Sequence, residues 1–298
     1  AEDGTVKFTT LIEENKKRGD NKDSPAASPR GRNAQNPSSP NATGSRRSAV
    51  QDVELCNGSD RTTADAQIAA CTALIETQIE NPQALSIAYN NRGSAQARKG
   101  SYDLAIQDYD QSIKLNATYA KAFNNLGTAY KKKGDVARAI ASFDTAIGID
   151  PDYASARANR AQMHQQTRDY DRALSDLNEA IRLQPALGGL WNERCWVRAI
   201  VGNVQEALSD CNQAIQLGPA SGAKFDSRGM THLKMGQWAS AIADFNSALQ
   251  LNPRLASSLY GRGYAKLKAG DSSGRADIEA ATRARRGIAE DFAQYGIR

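Results

Sequence analysis

The chain has 298 residues, 40% hydrophobic and 24% charged, which is enough apolar material for most of it to fold. Its net charge of +5 comes largely from the first fifty residues. No concentrated basic face with interleaved aromatics follows, so nucleic acid is not expected as a partner, and no apolar run approaches the roughly 18 residues of a membrane helix.

Residues 1–47 read as a disordered, low-complexity leader. The run NKKRGDNKDSPAASPRGRNAQNPSSP is rich in Pro, Gly, Ser and Asn and has no apolar periodicity. Such a segment cannot bury enough surface to offset the entropy of ordering. The first residue is Ala1 rather than Met, which is compatible with removal of a signal segment. Residues 48–83 form a degenerate cap unit whose second helix is expected to begin near Thr62, where Thr62 and Asp65 give a modest capping signal.

From residue 84 to about residue 286 one 34-residue unit is written six times. Stepping by 34 from Gly93 meets Gly127, Ala161, Cys195, Gly229 and Gly263, all small. The same step from Gly100 meets Gly134, Arg168, Gly202, Gly236 and Gly270, and from Ala117 it meets Pro151, Pro185, Pro219 and Pro253. Within each unit, apolar residues fall at helical spacing in two runs. An example is Phe123, Leu126 and Tyr130, followed by Ala139, Ile140, Phe143 and Ile147. Each unit is therefore an antiparallel helix pair whose apolar face is buried only by stacking on its neighbours. The last unit runs one residue short between Gly270 and Ile278. Residues 287–298 read as a short C-terminal capping helix that shields the last core face.

This period, with small residues, aromatics and a closing Pro in register, resembles the tetratricopeptide repeat (TPR) family. The fold implied is an all-α, right-handed solenoid of helix-turn-helix repeats with caps at both ends. The cap sequence AQIAACTALI ahead of NNRG repeats is also similar to that of exported alphaproteobacterial members of the family.

The four cysteines fall in two pairs, Cys56 with Cys71 and Cys195 with Cys211. The second pair is equidistant from a turn at Gly202 and Asn203, so its sulfurs should face each other across the hairpin, and the first pair repeats the arrangement. Two disulfides are the favoured reading, with four buried thiols as the alternative. Zinc is disfavoured because the spacing is not that of paired ligands and His164 and His232 belong to other units. Disulfides favour a periplasmic or secreted protein over a cytoplasmic one.

The seventh and twenty-third residues of the units pair as Arg92 with Asp108, Arg160 with Asp176, Arg194 with Asp210, Arg228 with Asp244 and Arg262 with Asp277. In one unit both are replaced, by Leu126 and Ser142. Joint presence and joint loss indicate structural ion pairs, for which a guanidinium fork is suited.

No catalytic motif occurs, and no metal or cofactor is implied. The resemblance implies a groove lined by the first helix of each unit. Its polar end would carry Asn90, Lys121, Asn124, Asn125 and Lys131, and its aromatic end Asn192, Trp196, Met230, Tyr260 and Tyr264. The expected function is a non-enzymatic scaffold or adaptor that binds a protein or peptide segment in this groove, with assembly of an envelope complex as the setting. The alternative is a stable subunit of a larger, membrane-associated complex held by wide contacts outside the groove.

Overall fold

The computed structural model describes residues 48–77 and 81–297, and the expected leader lies outside them. Every regular element among the described residues is a helix. The described residues divide into two compact units, one up to residue 138 and one from residue 139.

The first unit holds α1 (Ala49–Asn57), α2 (Ala64–Glu76), α3 (Pro82–Arg98), α4 (Tyr102–Leu115) and α5 (Ala120–Lys133). Local capping sets their starts. Ser48 accepts from the Gln51 amide while Gln51 returns the contact to the Ser48 amide, closing a capping box. Asn81 accepts from the amides of Gln83 and Ala84, with Pro82 at the first helical position, where its missing N–H costs nothing. The start of α2 differs by one residue from the expected place. Thr63 is the cap, accepting from Ala66 N, while Thr62 Oγ1 accepts from Ser59 N in the preceding turn.

A cluster of Val53, Cys56, Ala70, Cys71, Leu74, Ala84 and Ala88 holds α1, α2 and α3 together. Cys56 and Cys71 are joined across the α1–α2 hairpin with Cα atoms 4.7 Å apart. A second cluster, Ala105, Tyr109, Leu126 and Ala129, lies under α4 and α5.

Helix α6 (Val136–Ile149) begins at the boundary between the units. The second unit continues with α7 (Ala154–Gln166), α8 (Tyr170–Leu183), α9 (Gly188–Val201), α10 (Val204–Gln216), α11 (Gly222–Lys234), α12 (Trp238–Leu251), α13 (Ala256–Lys268), α14 (Gly274–Ala284) and α15 (Ile288–Gln294). Each first helix packs on the second helix of its own pair. The first helices also pack on one another, α9 on α11 and α11 on α13. Helices α9, α11 and α13 therefore form a continuous layer. Between α11 and α13 the ring of Phe245 is held where only glycines fit, because a methyl on Gly229 or Gly261 would collide with it. Cys195 and Cys211 join α9 to α10, with Cα atoms 5.3 Å apart.

The turn between paired helices needs a left-handed residue. Gly100, Gly134, Gly202, Gly236 and Gly270 supply it with φ between 71° and 97°. Arg168 takes the same conformation at φ 62°, at a cost of about 1 kcal/mol for a residue with a side chain.

Helix α15 does more than close the end of the array. Ile288, Phe292 and Ile297 enter one core with Met230, Leu233, Ala241 and Phe245. Tyr295 meets Trp196 of α9 edge to face at 5.6 Å, and the Phe292 ring lies 4.6 Å from that of Tyr260. The Arg168 guanidinium donates to Gln294 Oε1 at 2.5 Å.

Candidate partner-binding face

The arginine series anchors the first helices. In each of five units the guanidinium grips its aspartate with two prongs, Nε on one oxygen and Nη2 on the other. The distances are 2.8 and 2.7 Å for Arg92 on Asp108 and 2.8 and 2.6 Å for Arg160 on Asp176. Arg194 on Asp210, Arg228 on Asp244 and Arg262 on Asp277 have the same geometry. Sequence spacing did not reveal a third arm. Nη1 donates to the preceding helix pair: to Thr72 from Arg92, Asp144 from Arg160, Asn178 from Arg194, Asn212 from Arg228 and Asn246 from Arg262. Burial pushes the Asp277 carboxyl up, but Arg262 and Lys266 together hold it below the usual carboxylate range.

Where Leu126 replaces arginine, the side chain is buried in the apolar cluster of α4 and α5. Asp110 occupies, within the first unit, the register of those third-arm acceptors. Burial raises its pKa, opposed by Lys114.

The amides expected at the polar end of a groove are largely turned inward. Asn90 is fully buried, and its Oδ1 accepts from Asn125 Nδ2 at 2.8 Å. Asn125 also reaches Ser94 Oγ at 3.3 Å. Asn124 is buried as well, whereas Lys121 is exposed and Lys131 half-buried. Asn90 and Asn124 are thus buried where a solvent-facing groove lining was expected, and Asn90 is satisfied by the neighbouring helix.

The aromatic end is corrected in the same way. Met230 is 1% exposed and belongs to the core. Trp196 and Tyr260 are half-buried, in ring contact with Tyr295 and Phe292 of the C-terminal tail, and Tyr264 packs edge to face on Trp238 at 6.4 Å. The chain's own tail thus shares the aromatics expected to anchor a partner, and leaves part of Trp196 on the cavity wall. His164 is buried, and His232 lies 2.6 Å from Gln237 Oε1 and 3.6 Å from Asp244, so both are packed residues.

Asn192 stands apart from this self-satisfaction. It lines a cavity of about 320 Å³ with Gln165, Glu193, Trp196, Asp226, Ser257, Arg285, Phe292 and Tyr295. Asn192 Oδ1 and Gln165 Nε2 are buried atoms with no hydrogen-bond partner among the described residues. Asp226, 8% exposed, accepts from Ser257 Oγ at 2.8 Å and Ser258 Oγ at 2.5 Å. Burial outweighs those two bonds and the nearby Arg285, pushing the Asp226 carboxyl up to about 6. Glu193 Oε1 accepts from Gln162 Nε2 at 2.7 Å. Sequence reasoning missed Asp226, although it stands in register with Asn90, Asn124 and Asn192 at the fifth position of a unit. That register was the available signal.

Among the described residues no His, Cys, Asp or Glu cluster could hold a metal ion, and no helix is long and apolar enough to cross a membrane.

Comparison with known proteins follows the same lines. Family models described as TPR repeat match residues 93–134, and others described as tetratricopeptide repeat match residues 120–153, 154–187 and 227–287. Together they span residues 93–187 and 227–287, just over half of the chain. No curated protein matches the sequence. Among solved structures, a tetratricopeptide repeat protein from Parabacteroides merdae superposes with a TM-score of 0.62 at 18% identity, over 83% of this chain and 98% of that one. YrrB, a TPR protein with an unusual peptide-binding site, gives 0.54 at 20% identity, over 65% and 98%. A chain of the APC/C hetero-tetramer Cut9–Hcn1 gives 0.64 at 13% identity, over 84% of this chain and 51% of its own length. At these identities the likeness is one of fold.

Proposed function

The chain belongs to the tetratricopeptide repeat family, whose members are generally scaffolds for protein interaction rather than enzymes, and on that premise we propose that it holds a segment of a partner protein against the first helices of its second unit, at α7, α9 and α11. One observation carries this reading. Gln165 Nε2 and Asn192 Oδ1, a donor and an acceptor on successive first helices, are buried beside a cavity without partners of their own. Buried polar atoms are nearly always paired, so a donor and acceptor left together fit the main chain of an incoming segment. Of the expected aromatic anchors, Trp196 lines the same cavity, whereas Tyr260 packs against Phe292.

The setting proposed is an oxidising compartment, with assembly of an envelope complex as the role. The two cysteine pairs at bonding distance within helix hairpins support the compartment. Thiol titration of the denatured, unreduced protein should find no free thiol, and four would remove this support.

Affinity capture from native membrane and soluble extracts, comparing wild type with a Gln165→Ala, Asn192→Ala double variant, tests the interaction. A partner lost with the variant supports segment binding at this face. A partner retained by both proteins overturns it and favours a subunit held by wide contacts elsewhere.

A further inference from the structure

We propose that the cavity framed by α9, α11, α13 and α15 is a recognition pocket for a lysine or arginine side chain carried by the partner segment. The proposal rests on the scaffold reading above and gives it a chemical specificity.

The charge balance is the first argument. Every aspartate of the repeating ion-pair series is gripped by a two-pronged arginine. Asp226 is as buried as they are but takes only two serine hydroxyls. Each of its oxygens keeps a further lone-pair direction. Arg285, the cation on the cavity wall, is bonded to Asp291 at 2.6 Å, and Glu193 brings a second carboxylate to the lining. A buried carboxylate without a cation of its own is stabilised by one arriving on a ligand.

The shape of the site supplies the second argument. Trp196, Phe292 and Tyr295 form one side of the cavity. Aromatic rings suit both the apolar stem of a long basic side chain and its charged head. The volume of about 320 Å³ is at the small end of ligand sites, which run from about 300 to 1,000 Å³. Asn192 Oδ1 is an acceptor in want of an N–H, which ammonium and guanidinium groups provide. Gln165 Nε2 is a donor suited to the carbonyl of the ligand's own main chain. An acidic side chain would face two carboxylates, and an apolar one would leave Asn192 Oδ1 unpaired.

The test uses the full chain and three small probes: N-acetyl-lysine methylamide, N-acetyl-arginine methylamide and the uncharged N-acetyl-norleucine methylamide. Binding is followed through the Trp196 indole N–H resonance. At least one basic probe should give a saturable shift, and norleucine should give none. Asp226→Asn, nearly isosteric, should weaken the basic probe at least tenfold. Arg285→Gln should tighten it, which keeps the idea open to refutation should the Asp226 variant fold poorly. Equal binding of norleucine, unchanged affinity in Asp226→Asn, weaker binding in Arg285→Gln, or no saturable shift with either basic probe would each overturn the pocket. Capture of a partner without probe binding removes the pocket and leaves the scaffold reading. Probe binding with a partner indifferent to the Gln165→Ala, Asn192→Ala variant removes the scaffold reading and leaves a cation site.

Discussion

Asn90 and Asp226 occupy the same position of their respective units, and both side chains are nine-tenths buried or more. Around Asn90 the polar groups close on themselves: Asn125 donates to Asn90 and to Ser94, and Asn90 donates to Asn91. Around Asp226 they leave a remainder, a carboxylate held only by hydroxyls, an amide oxygen and an amide nitrogen without partners, and a cavity. One backbone register therefore serves two purposes. Paired amides lock neighbouring helices together around Asn90, while the unpaired groups around Asp226 keep an unspent capacity for interaction. The difference arises from single side chains, because the helices that carry them are alike.

That contrast can be broken most strongly at α15, which walls the cavity and has no counterpart among the described residues of the first unit. Phe292→Ala should destabilise the protein by about 3–4 kcal/mol in urea denaturation, the cost of emptying a buried aromatic site. A loss below 1 kcal/mol would mean that the tail is a loosely held cover.

The Asp226 carboxyl gives the next largest effect. Its folded-state pKa of about 6 lies above the unfolded value of 3.8, so the folded chain binds this proton more tightly. Stability from this group is greatest below pH 4 and falls as pH rises to 6, by about 3 kcal/mol in total. Asp226→Asn should therefore be more stable than wild type at pH 7 by up to that amount, and no more stable at pH 3.5. Using the difference between the two proteins cancels groups such as Asp277, whose depressed pKa acts in the opposite direction. A flat difference across this range would show that Asp226 is not desolvated.

The amides themselves sharpen the comparison. Asn125→Ala strips the buried Asn90 Oδ1 of its donor and should cost about 1–3 kcal/mol. Asn192→Ala removes an oxygen that bonds nothing and should cost less, within about 0.5 kcal/mol of wild type. Equal losses in calorimetry would erase the distinction between the two sites. The smallest effect is expected at Arg168. Replacing it by Gly relieves the left-handed backbone, worth about 1 kcal/mol, but removes the bond to Gln294. A net gain in melting temperature would show that the strained arginine is not required to seat α15.

Much of this was legible in the sequence because it repeats. The 34-residue step located the turns, the close-packing glycines and both partners of each ion pair, since all of these recur within a hairpin. The facing cysteines followed from the same hairpin geometry. What escaped was non-periodic. Gln294 and Arg168 are 126 residues apart, and no spacing rule joins them. The ring contacts of Trp196 and Tyr260 were not foreseen because the tail that makes them lies far along the chain. Asp226 was hidden by its difference in residue type from the asparagines it aligns with. The third arm of each arginine was missed because its acceptors vary between Thr, Asp and Asn.

Those third arms have a consequence for how the molecule comes apart. In a linear array, folding cooperativity is set by the coupling between nearest neighbours. An arginine that grips its own hairpin and also the one before it makes each hairpin's loss a penalty on the next, so a run of such arginines melts as a block. The run from Arg160 to Arg262 is unbroken, and Leu126 interrupts the series ahead of it. Hydrogen exchange should accordingly show the hairpins riveted from Arg160 to Arg262 exchanging as one foldon rather than along a gradient, while the repeat of Leu126 is joined to the hairpin before it by apolar packing and the Asn125–Asn90 bond instead.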